Sequence, residues 1–369
     1  MQTMGHTEHM SMSSTDEPQS CFYHSRGLRL HYLDWGNADA PLLILIHGGL
    51  EHARVWDHLA RQLSTDWHVV VPDLRGHGDS DWSTGGAYAI PDFVPDIAAL
   101  MAELGDRPAT LVAHSLGGNI AVHYTALFPE RVSRLCVIEG LGFSPEARAP
   151  RDAQSRREQL REWVERVREL DRLGPSQYPS VEAAVERLMG HDPLLSRELA
   201  EYVCERGLRP NENGQLRWKY DHQIRGFGAA EVASVEANDL WQAIECPVLL
   251  LYGAESWASN PQDDGRIRHF AQAQVVSIAD AGHNLHHHQP EVFMQHLRTF
   301  LSATSCSGWD APRPNPPDTQ CDVPSTKPIL LPTLYLPEGL FIGMRFTSSR
   351  VSLLITSSAP SSSQTLSSR

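Results

Sequence analysis

Two hydrophobic patterns take turns along most of the chain. Short runs are apolar at nearly every position: Leu42–Ile46, Val69–Val71, Leu111–Ala113, Leu135–Ile138, Val248–Tyr252 and Val275–Ile278. Runs of this kind suit strands covered on both faces, as in a parallel sheet. Between them, apolar residues recur at helical spacing in Val55, Trp56, Leu59 and Leu63, in Ile97, Leu100, Met101 and Leu104, and in Phe293, Leu297, Phe300 and Leu301. Buried strands alternating with single helices predict an α/β architecture, a mostly parallel sheet flanked by helices. Ahead of the first run, Cys21–His24 and Leu28–Trp35 flank Ser25-Arg26-Gly27, which reads as an antiparallel hairpin.

The alternation breaks between 144 and 238. Leu160, Trp163, Val164, Val167 and Leu170 form an apolar stripe in an Arg/Glu-rich helix; Val181, Val185, Leu188 and Met189 form a second stripe, and 199–206 predicts a third helix. The charge run from Arg151 to Arg172 reads as the solvated face of the first. This stretch, 144–238, is a helical insertion into a core made of 21–143 and 239–302. Residues 1–20 show no periodicity and read as a disordered leader. Residues 303–369, rich in Pro, Ser and Thr, read as a low-complexity, mostly disordered tail with no catalytic role.

The candidate chemistry begins at Thr110–Gly118. Leu111-Val112-Ala113 is strand-like, and from Leu116 the spacing turns helical through Gly117, Gly118, Ile120, Ala121, Tyr124 and Leu127. A strand that becomes a helix without a loop must turn within one or two residues. Ser115 sits on that turn, flanked by small residues at Ala113 and Gly117. Such a nucleophile elbow pushes the hydroxyl out at the carboxyl end of the sheet and aims the next N–H, that of Leu116, at a developing oxyanion. The earlier run Leu42–Ile46 ends in His47-Gly48-Gly49-Leu50, whose Gly49 N–H is the candidate second donor. In Pro72–Ser80, Asp73, Arg75 and Asp79 read as loop-fixing residues.

Leu-Ile-His-Gly-Gly (45–49), Pro-Asp-Leu-Arg-Gly-His-Gly (72–78), Ala-His-Ser-Leu-Gly-Gly (113–118) and Ala-Gly-His (281–283), in this order, resemble the α/β-hydrolase superfamily over about Cys21–Leu301. Within it the chain is similar to capped members, the serine-hydrolase-like proteins and carboxylesterases. The resemblance implies an α/β-hydrolase fold with 144–238 as a helical cap. Dehalogenase and epoxide-hydrolase relatives carry Asp at the nucleophile position; Ser115 implies ester-like hydrolysis instead, of carboxylesterase, thioesterase or lactonase type. The chain departs from the usual pattern at Ala113, where the first elbow Gly would stand.

A serine hydroxyl needs a base. Of nineteen histidines, His283 follows the last strand and stands last in the superfamily order of nucleophile, acid and base. The adjoining His286, His287 and His288 do not read as a metal site, because three consecutive side chains converge poorly on one ion. The usual acid position holds Ser256. Glu139, at the tip of the strand after the elbow, is preferred, and Glu255 is the alternative. The implied enzyme works through a Ser-His-Glu triad and an acyl-enzyme without cofactor or metal. His47, Trp56, Phe143, Trp218 and Trp257 are candidate substrate-lining residues, suiting a small hydrophobic acyl group. Two other readings stay open: a C–C bond hydrolase with the same triad, and a non-catalytic small-ligand binder of the same fold.

Composition narrows the partners. A net charge of −14 argues against nucleic acid and anionic membrane surfaces. Six scattered cysteines with no C-x-x-C pattern read as free thiols of a reducing compartment, the cytoplasm. No run approaches the roughly eighteen apolar residues of a membrane span, and residues 1–20 lack the pattern of a secretory signal.

Overall fold

The computed structural model describes residues 17–226, 237–303, 340–347 and 350–357. The chain opens with a hairpin, β1 (Gln19–Ser25) and β2 (Leu28–Asp34), reversed at Arg26-Gly27, both with positive φ. It continues through β3 (Leu42–Ile46), α1 (Asp57–Leu63), β4 (His68–Pro72), α2 (Ile90–Glu103), β5 (Ala109–His114), α3 (Ser115–Leu127) and β6 (Val132–Ile138). The insertion supplies α4 (Pro145–Asp152), α5 (Arg156–Leu173), β7 (Gln177–Tyr178), α6 (Val181–His191), α7 (Arg197–Gly207), β8 (Leu208–Pro210) and β9 (Leu216–Trp218). After α8 (Ala237–Gln242), the chain completes the sheet with β10 (Val248–Gly253) and β11 (Ala273–Ile278), then closes with α9 (Leu285–His288) and α10 (Pro290–Ser302).

The eight-stranded sheet has the order β1-β2-β4-β3-β5-β6-β10-β11. Its first two pairings are antiparallel and the rest parallel. All five residues of β3 are buried, because both faces are covered. Leu42, Ile44 and Ile46 pack towards α2 and α3 with Phe93, Ile97 and Ile120. Leu43 and Leu45 pack towards α1 and α10 with Leu59, Phe293 and Leu297. Each such Leu or Ile contributes about 1.5–3 kcal/mol of burial, so the period-two split of one short strand fixes both layers.

The α/β prediction holds, with local differences. β1 starts at Gln19, inside the expected leader, and α2 starts at Ile90, with Pro91 in its first turn. The insertion is not wholly helical, since β7, β9 and β8 form a separate three-stranded sheet. Most of the expected tail, like residues 1–16, lies outside the described residues. Within it, Leu340–Thr347 and Arg350–Ser357 pair as an antiparallel hairpin, β12 and β13.

Candidate active site

Sheet order alone locates the site. From β3 the chain crosses one way to β4 and then back to β5, so the order reverses between β3 and β5, where open α/β sheets form a crevice at the strands' carboxyl ends. His47–Leu50 leave β3 there and Ser115 leaves β5. Glu139 follows β6, Ser256 follows β10 and His283 follows β11, so five neighbouring strand ends supply the site.

The elbow is tight. Ser115 has φ +49° and Ala113 is fully buried beside it. A Cβ at Gly117 would collide with the His47 carbonyl oxygen and the Ile46 side chain, so only glycine lets α3 start this close to β3. Leu50 (φ +67°) and Glu139 (φ +47°) are also left-handed. Such non-glycine residues carry roughly 1–3 kcal/mol of strain each, and three of them flank one crevice.

Glu139, His283 and Ser115 form a continuous relay. His283 Nδ1 donates to Glu139 Oε2 at 2.6 Å, which leaves Nε2 as the acceptor facing Ser115 Oγ at 2.9 Å. The Glu139 side chain is 0% exposed and that of His283 22%. Glu139 is saturated by two further donors, the Gly253 N–H to Oε1 at 2.8 Å and the Ser256 hydroxyl to Oε2 at 2.6 Å. Ser256, at the position expected for an acid, thus donates to Glu139. Glu255 is solvent-exposed, while its backbone N–H donates to the Ala281 carbonyl. Backbone contact keeps Glu139 beside Ser115: a Cβ on Gly140 would lie 2.5 Å from Gly118 Cα.

Gly49 and Leu116 are neighbours, as two converging donors must be: a Cβ at Gly49 would rest 3.8 Å from Leu116 Cβ. Trp257 lies against the base with ring centroids 4.9 Å apart, and Phe143 lies 5.7 Å from Trp257. Both are exposed aromatics beside the relay.

The other three lining candidates are elsewhere. Trp56 is fully buried and stacks on His286 at 4.7 Å, because the stripe that predicted its helix turns it into the core. His47 is fully buried, with Nδ1 on the Gly48 carbonyl and Nε2 accepting the Leu74 N–H, so it shapes the loop. Trp218 belongs to β9 and donates to the Tyr178 hydroxyl at 3.3 Å, inside the cap. Asp73 and Arg75 do fix loops. Asp73 accepts from the Ala53 N–H at 2.6 Å, and Arg75 makes a buried fork on Asp96 at 2.6 and 2.7 Å.

Among the described residues, His31, Asp73 and Asp79 are the one set whose ligand atoms lie within 4.8 Å of one another. His31 and Asp73 are already engaged with each other at 2.7 Å, and His31 with Ser20. His286 and His288 have different surroundings, the first against Trp56 and the second on Asp192 at 2.9 Å. A polar cavity of about 300 Å³ beside the β1–β2 edge is lined by Ser20, His31, Asp73, Lys219 and others, and by no member of the relay.

Several residues at the site carry no sequence signal. Arg266, buried, donates to the Leu141 and Gly142 carbonyls at 3.2 Å and so ties the segment after Glu139 to the 259–266 loop. Asp192, at the end of α6, accepts from Asn284 at 2.7 Å and joins the cap to the base segment. His77 accepts the Leu50 N–H at 3.1 Å, and burial pushes it down to about 3, so it stays neutral. Glu51 and His114 stand directly behind the base.

A model described as the alpha/beta hydrolase fold matches residues 41–290. The chain is 28% identical over 281 residues to a serine hydrolase-like protein of Danio rerio, covering 73% of this chain and 84% of that protein. It is 28% identical over 276 residues to the esterase Rv0045c of Mycobacterium tuberculosis, covering 73% and 85%. Among solved structures, a thioesterase domain from the curacin biosynthetic pathway superposes with a TM-score of 0.64 at 27% identity, over 76% of this chain and 99% of that one. Sheet order, elbow and family match agree, and the chain belongs to the α/β-hydrolase family.

Proposed function

We propose that this α/β hydrolase cleaves an ester-like bond through a Ser115–His283–Glu139 triad. The observation that carries the reading is the relay itself, 2.6 Å from acid to base and 2.9 Å from base to nucleophile. Ser115 Oγ attacks the acyl carbonyl while His283 Nε2 takes its proton. Glu139 holds the imidazole in the required tautomer and stabilises its cation. The Gly49 and Leu116 N–H groups receive the oxyanion. Collapse of the intermediate expels the alcohol or thiol, which takes the proton from His283, and leaves an acyl-serine. Water, deprotonated by the same imidazole, then releases the acid. Each step needs only this chain, the ester and water. Phe143 and Trp257 beside the base suit a small or medium hydrophobic acyl group. The completed relay favours catalysis over the ligand-binding reading.

The free thiols Cys136, Cys204 and Cys246, all buried, support a reducing compartment, the cytoplasm. Among the described residues, no helix is long and apolar enough to cross a membrane.

Fluorophosphonate labelling and hydrolysis of short p-nitrophenyl esters test the reading. Ser115→Ala should abolish labelling. Glu139→Gln should lower kcat by roughly a hundredfold to ten-thousandfold, as when a triad acid loses its charge. Glu255→Gln should match wild type. Loss of turnover in Glu255→Gln alone would move the acid to the loop after β10, and a wild type that neither labels nor turns over would leave the binder reading standing.

A further inference from the structure

We propose that Glu51 and His114 are positioning residues for His283, a carboxylate–imidazole couple that fixes the main chain of the base and with it the approach to Ser115. The inference rests on the serine-hydrolase reading above and adds a second couple behind the triad.

His114 is the last residue of β5, immediately before the nucleophile, and its side chain is 2% exposed. Its Nε2 lies 3.1 Å from the His283 carbonyl oxygen. A carbonyl can only accept, so Nε2 carries a hydrogen. Its Nδ1 lies 3.2 Å from Glu51 Oε1. An ionised Glu51 makes that contact a second N–H donation and the ring an imidazolium. Burial alone would push His114 down, but the Glu51 carboxylate outweighs it and the net direction is up. Burial alone would push Glu51 up, but the His114 charge and hydrogen bond hold it well below the usual carboxylate range.

The couple reaches a third loop as well. Glu51 Oε2 accepts the Gly48 N–H at 2.6 Å. A Cβ at Gly48 would lie 2.6 Å from His114 Nδ1, so the backbone after β3 closes directly on the pair. One ion pair, its His114 side chain 2% and its Glu51 side chain 18% exposed, therefore ties β5, the loop bearing Gly49 and the main chain of His283. Removing Glu51 would leave the His114 charge buried and unpaired.

The pair also touches the side chain of His283, since the rings of His114 and His283 lie 4.8 Å apart. The titratable groups facing the pair are Glu139 after β6, His283 after β11, His47 at the end of β3, and His286 and His287 of α9. Burial pushes His47, His286 and His287 down, so the charges around the base are those of Glu51, His114 and Glu139.

The test uses the full chain with p-nitrophenyl esters, comparing wild type, Glu51→Gln and Glu51→Asp. Fluorophosphonate titration counts the competent sites, and thermal unfolding checks the fold. Glu51→Gln removes the counter-charge, so His114 loses its proton. We expect kcat per titrated site to fall roughly tenfold to a hundredfold, the scale for groups that orient another functional residue, with KM little changed. Glu51→Asp keeps the charge but shortens the reach, and should lower kcat per site less than Glu51→Gln does. A merely structural role would lower the number of competent sites and leave kcat per site in place. A Glu51→Gln enzyme with wild-type kcat per site would overturn the inference and leave the hydrolase reading intact. Should Glu51→Gln not fold, a Glu51→Asp enzyme with wild-type kcat would overturn it equally. A wild type that neither labels nor turns over would remove the hydrolase reading, and this inference with it.

Discussion

The core and the cap are built by different means. In the core, β3 to β6 and β10 place apolar side chains on both faces, and the helices approach until backbone meets backbone at Gly117 and at Gly118 against Gly140. The cap has one small cluster of its own, made of Ala184, Val185, Leu195, Ala200, Cys204 and Leu208. Its longest helix, α5, fully buries Leu170 alone, leaves Leu160, Trp163 and Val167 half-buried, and carries exposed pairs such as Arg161–Glu165 and Arg172–Glu169 on its outer face. Polar contacts join it to the core, among them Tyr202 on Asp57 at 2.5 Å, Tyr88 on Asp221 at 2.6 Å and Asn284 on Asp192 at 2.7 Å, with Ile224, Tyr220 and Val203 packed on the core clusters. The difference is one of tolerance. The core crevice is set by backbone contacts at Gly117, Gly118 and Gly140 that leave no room for a methyl, whereas the insertion is joined by side-chain contacts.

Three measurements would break or sharpen that contrast. Gly117→Val should have the largest effect. Its side chain meets the His47 carbonyl and Ile46, so denaturant unfolding should show a loss of about 3 kcal/mol or more, the upper end for overpacking. Near-wild-type stability would show that the elbow can relax and that the contrast is overstated.

Acid should come next. Burial pushes His77 down to about 3, and His52 and His287 to about 4. Below the ordinary histidine value of about 6.5 the unfolded chain takes up these protons and the folded chain does not, so stability falls with pH by up to about 1.4 kcal/mol per unit per group. His114, raised, adds stability only as pH falls towards about 6.5 and leaves the slope below that value unchanged. Urea midpoints should therefore drop between pH 7 and pH 5, with a shallower slope in His77→Gln. A flat profile would contradict the buried neutral histidines of the core.

The smallest effect is expected in the cap. Gly190, in α6, has open space where a Cβ would go, so Gly190→Ala should raise stability by about 0.4–1 kcal/mol in thermal melts. A loss there as large as that of Gly117→Val would erase the distinction between the two regions.

The parts legible in the sequence were those whose signal is local. Continuous apolar runs give the strands, because burial on both faces leaves no polar alternation to misread. The elbow at Ser115 shows in the shift from strand to helix spacing across two residues. His283 and Glu139 both follow strand-like runs, and the structure brings their side chains within 2.6 Å. What stayed hidden depends on residues far apart in the chain. Trp56 and Trp257 are both tryptophans beside loops, yet the first packs into the core with His286 stacked on it and the second stays exposed beside His283. Glu51 and His114 are sixty-three positions apart, and neither spacing nor composition marks them as a pair. The strands of the cap are two or three residues long, too short to show a period.

The meeting of Ser256 and His283 on one Glu139 oxygen has an evolutionary consequence. Two adjacent strand ends, after β6 and after β10, meet at one carboxylate oxygen, one supplying the carboxylate and the other a hydroxyl. For the triad proposed above, such a layout would let the acid pass from one strand to the next by exchange of two side chains, with Ser115, His283 and the two N–H donors keeping their places.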